Sequence, residues 1–426
     1  MLDRKFIVEN ESAVKKNCVD RGMQADVDRF VELDAQCRVK LNEAQELNRQ
    51  ANEVSKSIGK AKDDAEREDR KNQGRRLREQ KDSVQTEHDT LLAELLAIQR
   101  LIPNMAHPDA PIGVDDKANL EVGRGSSNIR EFDFKPLDHV EIAEKHGLID
   151  FASAAKTTGT GFYFLRNDGV LLDYAMQRYV LEVLQKHNFD ITTTPDLARN
   201  EILEGIGFNP RSGEETQVYS IADSDLSLIG TAEITLGGSL SGEVLMDDQL
   251  PIKVCGISHC FRTEAGAAGR ATRGLYRVHQ FTKIEMFAFT LPEESDATLD
   301  ELRAIECEIF DGLEVPYRVV DTSTGDLGAP AYRKYDLEAW MPGRGDGGEF
   351  GEVTSTSNCT DYQARRLNVR YKKKEQKGTH FVHTLNGTAI ALSRGLIAVL
   401  ENHQQADGSI SIPKVLRPYM GKDRIG

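Results

Sequence analysis

Cysteine is scarce in this chain: six in 426 residues cannot build a disulfide framework, so a reducing cytoplasm is the expected compartment. Long apolar runs are missing too. No stretch approaches the ~20 residues that a transmembrane helix needs, and the opening MLDRKFIVEN lacks the basic-then-apolar layout of a secretory signal. Basic charge is in deficit, with 54 Lys and Arg against 69 Asp and Glu, a net of −15. Taken over the whole chain, that balance argues against nucleic acid as a partner, DNA included. Several common site signatures are also absent. There is no G-x-x-x-x-G-K-[ST] P-loop and no G-x-S-x-G elbow, and Gly159-Thr160-Gly161 runs into Phe-Tyr-Phe rather than a dinucleotide fingerprint. Cys255, His259 and Cys260 suggest a metal cluster, but the adjacent His259 and Cys260 would face opposite sides of a strand, so no structural zinc is expected.

The acid is unevenly spread. Residues 1–26 hold five charges of each sign, and residues 27–101 hold 15 basic and 16 acidic side chains. The remaining 34 basic and 48 acidic residues leave −14 on the C-terminal three-quarters. The first quarter is therefore nearly neutral and charge-dense, with Arg75, Arg76, Arg78 and Lys81 close together. Its periodicity is helical. Phe30, Leu33, Cys37, Leu41, Ala44, Leu47, Ala51, Val54 and Ile58 recur at spacings of three and four, as do Leu77, Val84, His88, Leu91, Leu95, Ile98 and Ile102. Such narrow seams suit an antiparallel hairpin about 50 Å long or a dimerising coiled coil, and the heptad rules do not separate the two. The polar run 59–74 reads as the tip.

Pro103 ends the second helix, and residues 104–126, rich in Pro and Gly, read as a linker between an arm (1–103) and a body (127–426). In the body, helices are expected near 136–147 and 170–188. Short strands follow from 217 to 290, then near 316–320 and 349–354, with a last strand–helix pair at 380–402. Strands joined by short turns and flanked by helices give an α+β fold built on an antiparallel sheet.

The densest chemistry lies in PIKVCGISHCFRTEAGAAGRATRGLYRVHQFTKIEMFAFT (251–290). It reads as two long strands joined by the loop 265–274, which carries three glycines, Arg270 and Arg273. By the period-two rule Arg262 and Glu264 share a face of the first strand, and Phe281, Lys283, Glu285 and Phe287 share one on the second. Ion-paired solvated faces are common, but they have no use for paired phenylalanines, and burying these charges is costly without partners.

This segment resembles motif 2 of the class II aminoacyl-tRNA synthetases. Phe261-Arg262-Thr263-Glu264 with His279-Gln280-Phe281 is specifically similar to the seryl-tRNA synthetase family. Asn386-Gly387-Thr388-Ala389-Ile390-Ala391-Leu392-Ser393-Arg394 resembles motif 3, Thr231-Ala232-Glu233 the TAE element, and Glu352-Val353-Thr354-Ser355 the ATP-contacting stretch. Pro195 fits the motif 1 proline of the dimer interface, and the hairpin fits the family's tRNA-binding arm. Thr235 and Ser393 depart from a frequent proline and glycine, and neither change removes a charge. Short TAE matches arise by chance, and Thr388 read alone is an ordinary helix N-cap. Thr388, Ala391 and Arg394, three apart, would share one helix face.

The resemblance implies serine activation by ATP and transfer to tRNA(Ser) by a homodimer, with selenocysteine tRNA as a possible second acceptor. It implies that Arg262 bridges the α-phosphate and the substrate carboxylate, that Arg394 holds the far phosphates, and that Glu264 completes the catalytic set. Thr263, Val278, Phe281, Val353 and Thr354 join these around ATP, with Phe281 stacked on adenine. Glu352 and Ser355 would bind Mg²⁺; strand parity pairs Glu352 with Thr354 instead, so the strand must end or bulge there. Thr231, Ala232 and Glu233 would take the serine ammonium, and Glu285 and Thr388 its hydroxyl. Arg75, Arg76, Arg78, Lys81, Arg270 and Arg273 would face tRNA. Two rivals are weaker: an enzyme loading a carrier protein would have no use for the hairpin, and a catalytically dead RNA-binding scaffold no use for Arg262, Glu264, Glu285, Glu352 and Arg394.

Overall fold

The computed structural model describes residues 1–208, 217–264, 274–374 and 376–426. They form two compact units, residues 1–105 and 106–426.

The first unit contains helices α1 (Arg4–Glu9), α2 (Glu11–Asp20), α3 (Val27–Ser57) and α4 (Asp64–Leu101). Helices α3 and α4 pack on each other within one chain, so the apolar seam serves a hairpin. Phe30, Leu33 and Leu95 are fully buried along it. The ion pairs Arg29–Glu94 (2.9 Å) and Lys40–Glu87 (2.7 Å) cross between the helices and fix their register. The short α1 and α2, which the periodicity does not announce, add Ile7, Val14 and Cys18 to the same core. The expected polar tip is much shorter than 59–74. Asp63 caps α4 by accepting from the Glu66 N–H (2.7 Å), and Glu66–Arg70 (2.6 Å) and Glu68–Lys71 (3.2 Å) pairs hold turns that have no apolar seam.

The second unit is built on an eight-stranded sheet. Its strands are β1 (Leu120–Arg124), β2 (Asp190–Thr193), β3 (Ile252–Phe261), β4 (Gln280–Thr290), β5 (Tyr317–Asp321), β6 (Arg333–Met341), β7 (Glu349–Asn358) and β8 (His383–Ala391). The order is β1-β5-β6-β7-β8-β4-β3-β2, antiparallel except where β2 runs parallel to β3 at one edge. The end of the Pro/Gly-rich stretch is thus a strand, β1, on the other edge. β6 was not foreseen, although Tyr335, Leu337 and Ala339 alternate with Lys334, Asp336 and Glu338 in it.

Strand β4 separates the two faces by parity. Ile284, Met286 and Ala288 enter the core beneath helices Asp168–Lys186, Ser295–Gly312 and Leu392–Asn402, beside Met176, Leu302 and Leu396. Phe287 points the other way, against Ile234 and Leu236, and Glu285, Lys283 and Phe281 follow it on that face. Among the described residues, no helix is long and apolar enough to cross a membrane.

Candidate active site

The polar face of β4 forms the floor of an open cleft lined by Arg262, Tyr276, Phe281, Lys283, Glu352, Thr388 and Arg394 among others. Its centre is a cross-strand pair. Thr388 on β8 lies directly opposite Glu285 on β4, and its hydroxyl donates to Glu285 Oε2 (3.2 Å). Lys283 closes the triangle, with Nζ 2.5 Å from Glu285 Oε2 and donating to Thr388 Oγ1 (3.3 Å). All three residues are buried. Thr388 is therefore a strand residue and caps no helix. β8 bulges just after it, at Ala389, and Arg394 lies in the first turn of the following helix. Thr388, Ala391 and Arg394 share the cleft because of that bulge and the strand-to-helix turn, not because they lie on one helix face.

On the other side of β4, Gly256 of β3 faces Glu285. A Cβ there would stand 2.8 Å from Ala232 Cβ and 3.0 Å from Leu236 Cδ1, so only glycine lets the short helix Glu233–Gly238 settle so close. Thr231 is buried beside it, and its hydroxyl accepts from the Glu233 N–H (3.4 Å). Burial and the neighbouring Glu285 charge push the Glu233 carboxyl up to about 7.

Strand β3 ends at Phe261, so strand parity does not place Arg262 and Glu264. The Arg262 backbone N–H donates to the His279 carbonyl (3.0 Å), its Nε donates to the Gly230 carbonyl (3.3 Å), and its guanidinium sits 5.5 Å from the Phe281 ring. Glu264 adopts a left-handed backbone (φ 51°) and pairs with Arg277 (3.2 Å). Thr263 donates its N–H to the Gln217 carbonyl (3.2 Å), and Val278 is buried in the cleft wall. Arg270 and Arg273 lie outside the described residues.

Arg394 donates from Nη1 to the Glu352 carbonyl (2.9 Å) and lies 3.4 Å from the Glu352 carboxylate. Tyr276 has two guanidinium groups near its ring, Arg344 at 4.3 Å and Arg394 at 4.6 Å from the centroid. Partial burial opposes charge on the half-exposed Glu352, but Arg394, Lys334 and Arg262 outweigh it and hold its pKa below the usual carboxylate value. The register of β6 and β7 slips at Val353, with Glu338 opposite Glu352 and Asp336 opposite Ser355. Because Asp336 and Glu338 share a face of β6, the bulge brings Glu352 and Ser355 to one side, where unbroken parity would have paired Glu352 with Thr354. Ser355 hydrogen-bonds Asp336, whose carboxyl burial pushes up to about 7 despite Lys334 at 3.3 Å. Buried Thr354 turns away and donates to Glu306 (3.1 Å).

Lys283 was visible on the β4 face but carried no role, and Tyr276, Arg344, Asp336 and Lys334 were not singled out. The β6 alternation would have supplied Asp336 and Lys334; nothing local marks Tyr276 or Arg344. His259 pairs with Asp196 at the surface (2.9 Å) while Cys260 is buried, so the two do face opposite ways. On the hairpin, Arg75, Arg76 and Arg78 are exposed and pair with no carboxylate among the described residues, whereas Lys81 contacts Asp82 (3.0 Å).

Residues 218–403 match the family described as tRNA synthetase class II core domain (G, H, P, S and T), and residues 1–106 match the seryl-tRNA synthetase N-terminal domain. A serine–tRNA ligase of Rhodopirellula baltica is 60% identical over 99% of each chain, and one of Treponema denticola is 55% identical over the full length of both. Among solved structures, the seryl-tRNA synthetase of Pyrococcus horikoshii complexed with ATP superposes with a TM-score of 0.91 at 39% identity, covering 100% of this chain and 99% of that one. By sequence, fold and motif order together, the chain belongs to the seryl-tRNA synthetases, class II enzymes that use ATP to ligate serine to tRNA.

Proposed function

We propose that the cleft divides serine–tRNA ligation between two groups of residues. Glu285 and Thr388 read the serine hydroxyl, while Thr231, Ala232 and Glu233 receive its ammonium. Arg262 neutralises the substrate carboxylate and the α-phosphate, two anions that must meet in line, with Glu264 beside it as its catalytic partner. The carboxylate attacks the α-phosphorus, pyrophosphate departs past Arg394, and a terminal ribose hydroxyl of tRNA then attacks the acyl carbon and releases AMP. Thr263, Val278, Phe281 and Val353 line the nucleotide, Phe281 against the base, while Thr354 borders it with its side chain turned away. No covalent nucleophile is needed, because positioning and charge neutralisation lower the barrier.

The observation that carries this reading is the Glu285–Thr388–Lys283 triangle. It is a buried, polar, prearranged acceptor in a cleft that also carries Arg262, Arg277 and Arg394, cations suited to phosphate. Serine-dependent ATP–pyrophosphate exchange tests it, and exchange driven equally well by alanine would overturn it.

A Mg²⁺ accompanying ATP fits Glu352 and Ser355. The first offers a half-exposed carboxylate, the second a hydroxyl on the same side, and the adjacent buried Asp336 has an Oδ1 with no hydrogen-bond partner among the described residues. When bound, the ion offsets phosphate charge. We assign tRNA(Ser) to Arg75, Arg76, Arg78 and Lys81 on the hairpin and to Arg270 and Arg273. The same surface suits selenocysteine tRNA, and charging assays with both tRNAs distinguish a shared acceptor from an exclusive one. Strand β2 is an open edge with Ile191 exposed, close in sequence to Pro195 and to exposed Leu171 and Tyr174 on the helix Asp168–Lys186. That edge supports a homodimer, and a single-chain mass in sedimentation would rule it out. Six free thiols suit the reducing cytoplasm.

A further inference from the structure

Glu233 is held from behind. Gln363, on the helix Tyr362–Leu367, donates from Nε2 to Glu233 Oε1 (2.7 Å), and Asn386 of β8 donates from Nδ2 to the same oxygen (2.8 Å). The orientation of the Gln363 amide is fixed. Its Nε2 also donates to the Ile206 carbonyl (3.0 Å), and its Oε1 accepts from the Thr384 hydroxyl (2.7 Å). Gln363 is completely buried, and every one of its polar atoms is used. Glu233 Oε2, by contrast, has no hydrogen-bond partner among the described residues.

We propose that Gln363 is a positioning residue for serine: with Asn386 it saturates Glu233 Oε1, favours the ionised carboxylate, and reserves Oε2 for the substrate ammonium. The inference rests on the reading of Glu233 as the ammonium ligand and adds the group that makes it competent. The need for such a group follows from the surroundings. The charged side chains acting on Glu233 are Glu285, which opposes its ionisation, and Lys283 and Arg262, which favour it. Burial is the largest influence and works against the charge. A neutral Glu233 would offer an ammonium a poor partner, and two amide donors on one oxygen favour the anion. A glutamate at 363 would instead set two carboxyls within hydrogen-bond reach, sharing a proton, as like charges so close cannot both ionise.

The experiment is serine-dependent ATP–pyrophosphate exchange by the full chain between about pH 6 and about pH 9, comparing kcat/KM for serine with KM for ATP, because the former reports the free enzyme's essential ionisations. In Gln363→Glu the acid limb of kcat/KM for serine moves up by about one pH unit or more, roughly a tenfold loss near pH 6, and activity returns on the alkaline side. KM for ATP stays as in the parent enzyme. Thr384→Val leaves the amide in place but unpins its oxygen, and it moves the limb in the same direction by less. This second variant serves where Gln363→Glu does not fold. An unchanged pH profile in a folded variant, or equal changes toward serine and ATP at every pH, overturns the role of Gln363. Glu233→Gln separates the two layers of the argument. If it leaves KM for serine unchanged, the ammonium reading fails; if it raises KM without an acid limb while Gln363→Glu behaves as the parent, only the positioning role fails.

Discussion

Removing the Glu285 carboxylate, as in Glu285→Ala, acts on two energies that the structure keeps apart. The first is recognition. A hydrogen bond from a ligand hydroxyl to a charged acceptor is worth about 1.5–3 kcal/mol, so kcat/KM for serine should fall by roughly ten- to 150-fold. The second is stability. Lys283 is buried with Glu285 Oε2 2.5 Å away, and truncating one partner leaves a buried charge uncompensated. Breaking such a pair costs about 3–5 kcal/mol. The two effects separate in a pair of variants. Lys283→Met added to Glu285→Ala removes the orphan cation, so most of the lost thermal stability returns while serine selection does not. Pyrophosphate exchange at saturating ATP, run with serine and with alanine, reads the first effect, and thermal unfolding reads the second. Alanine lacks the hydroxyl, and a site built to bind one rejects such an analogue by about 10⁴-fold. In Glu285→Ala that ratio collapses by the amount lost for serine. The reasoning is refuted if KM for ATP rises as much as KM for serine, or if the double variant stays as unstable as the single one.

Three further expectations follow from other parts of the molecule. Charge removal at Arg75, Arg76 and Arg78 should weaken tRNA charging about tenfold or more and flatten its salt dependence by about two to three in log–log slope, with serine-dependent exchange unchanged; loss of both activities together would contradict the assignment. Glu352 titrates below the ordinary 4.5 because of Arg394, so their pairing stabilises the fold above that pH and is lost as pH falls through the depressed value. In Arg394→Gln, melting points should accordingly fall most relative to the parent above about pH 5 and converge with it as pH falls through the depressed Glu352 value, together with a raised KM for ATP. Gly256→Val would drive a side chain into Ala232 and Leu236, costing about 1–3 kcal/mol and raising KM for serine before KM for ATP; an ATP defect of equal size would show that the short helix does not act through serine alone.

Much was legible in the sequence because it depends on short-range rules. The seam from Phe30 to Ile58 follows helical periodicity, the division of β4 between Met286 and Glu285 follows strand parity, and the same parity shows that the Glu352–Ser355 pairing implied by the resemblance needs a break between them. Motif order placed Arg262, Glu285, Thr388 and Arg394 in the family's pattern. The polar 59–74 segment was misjudged because apolar periodicity is blind to helices held by an aspartate cap and ion pairs. β6 was overlooked although its alternation is regular.

What the sequence determined, then, was the inventory of elements and of chemically able side chains, since propensity and pattern act over a few residues. Only the tertiary structure decided which of them meet. The Thr388–Glu285 contact joins strands 103 residues apart, and its alignment depends on the bulge at Ala389. Gln363 reaches Glu233 across 130 residues. Between hairpin and dimer, the same seam was settled by the packing of α3 on α4 and the ion pairs that cross them. Register, bulges and long-range partners depend on how the whole core closes, and no local window of residues contains that information.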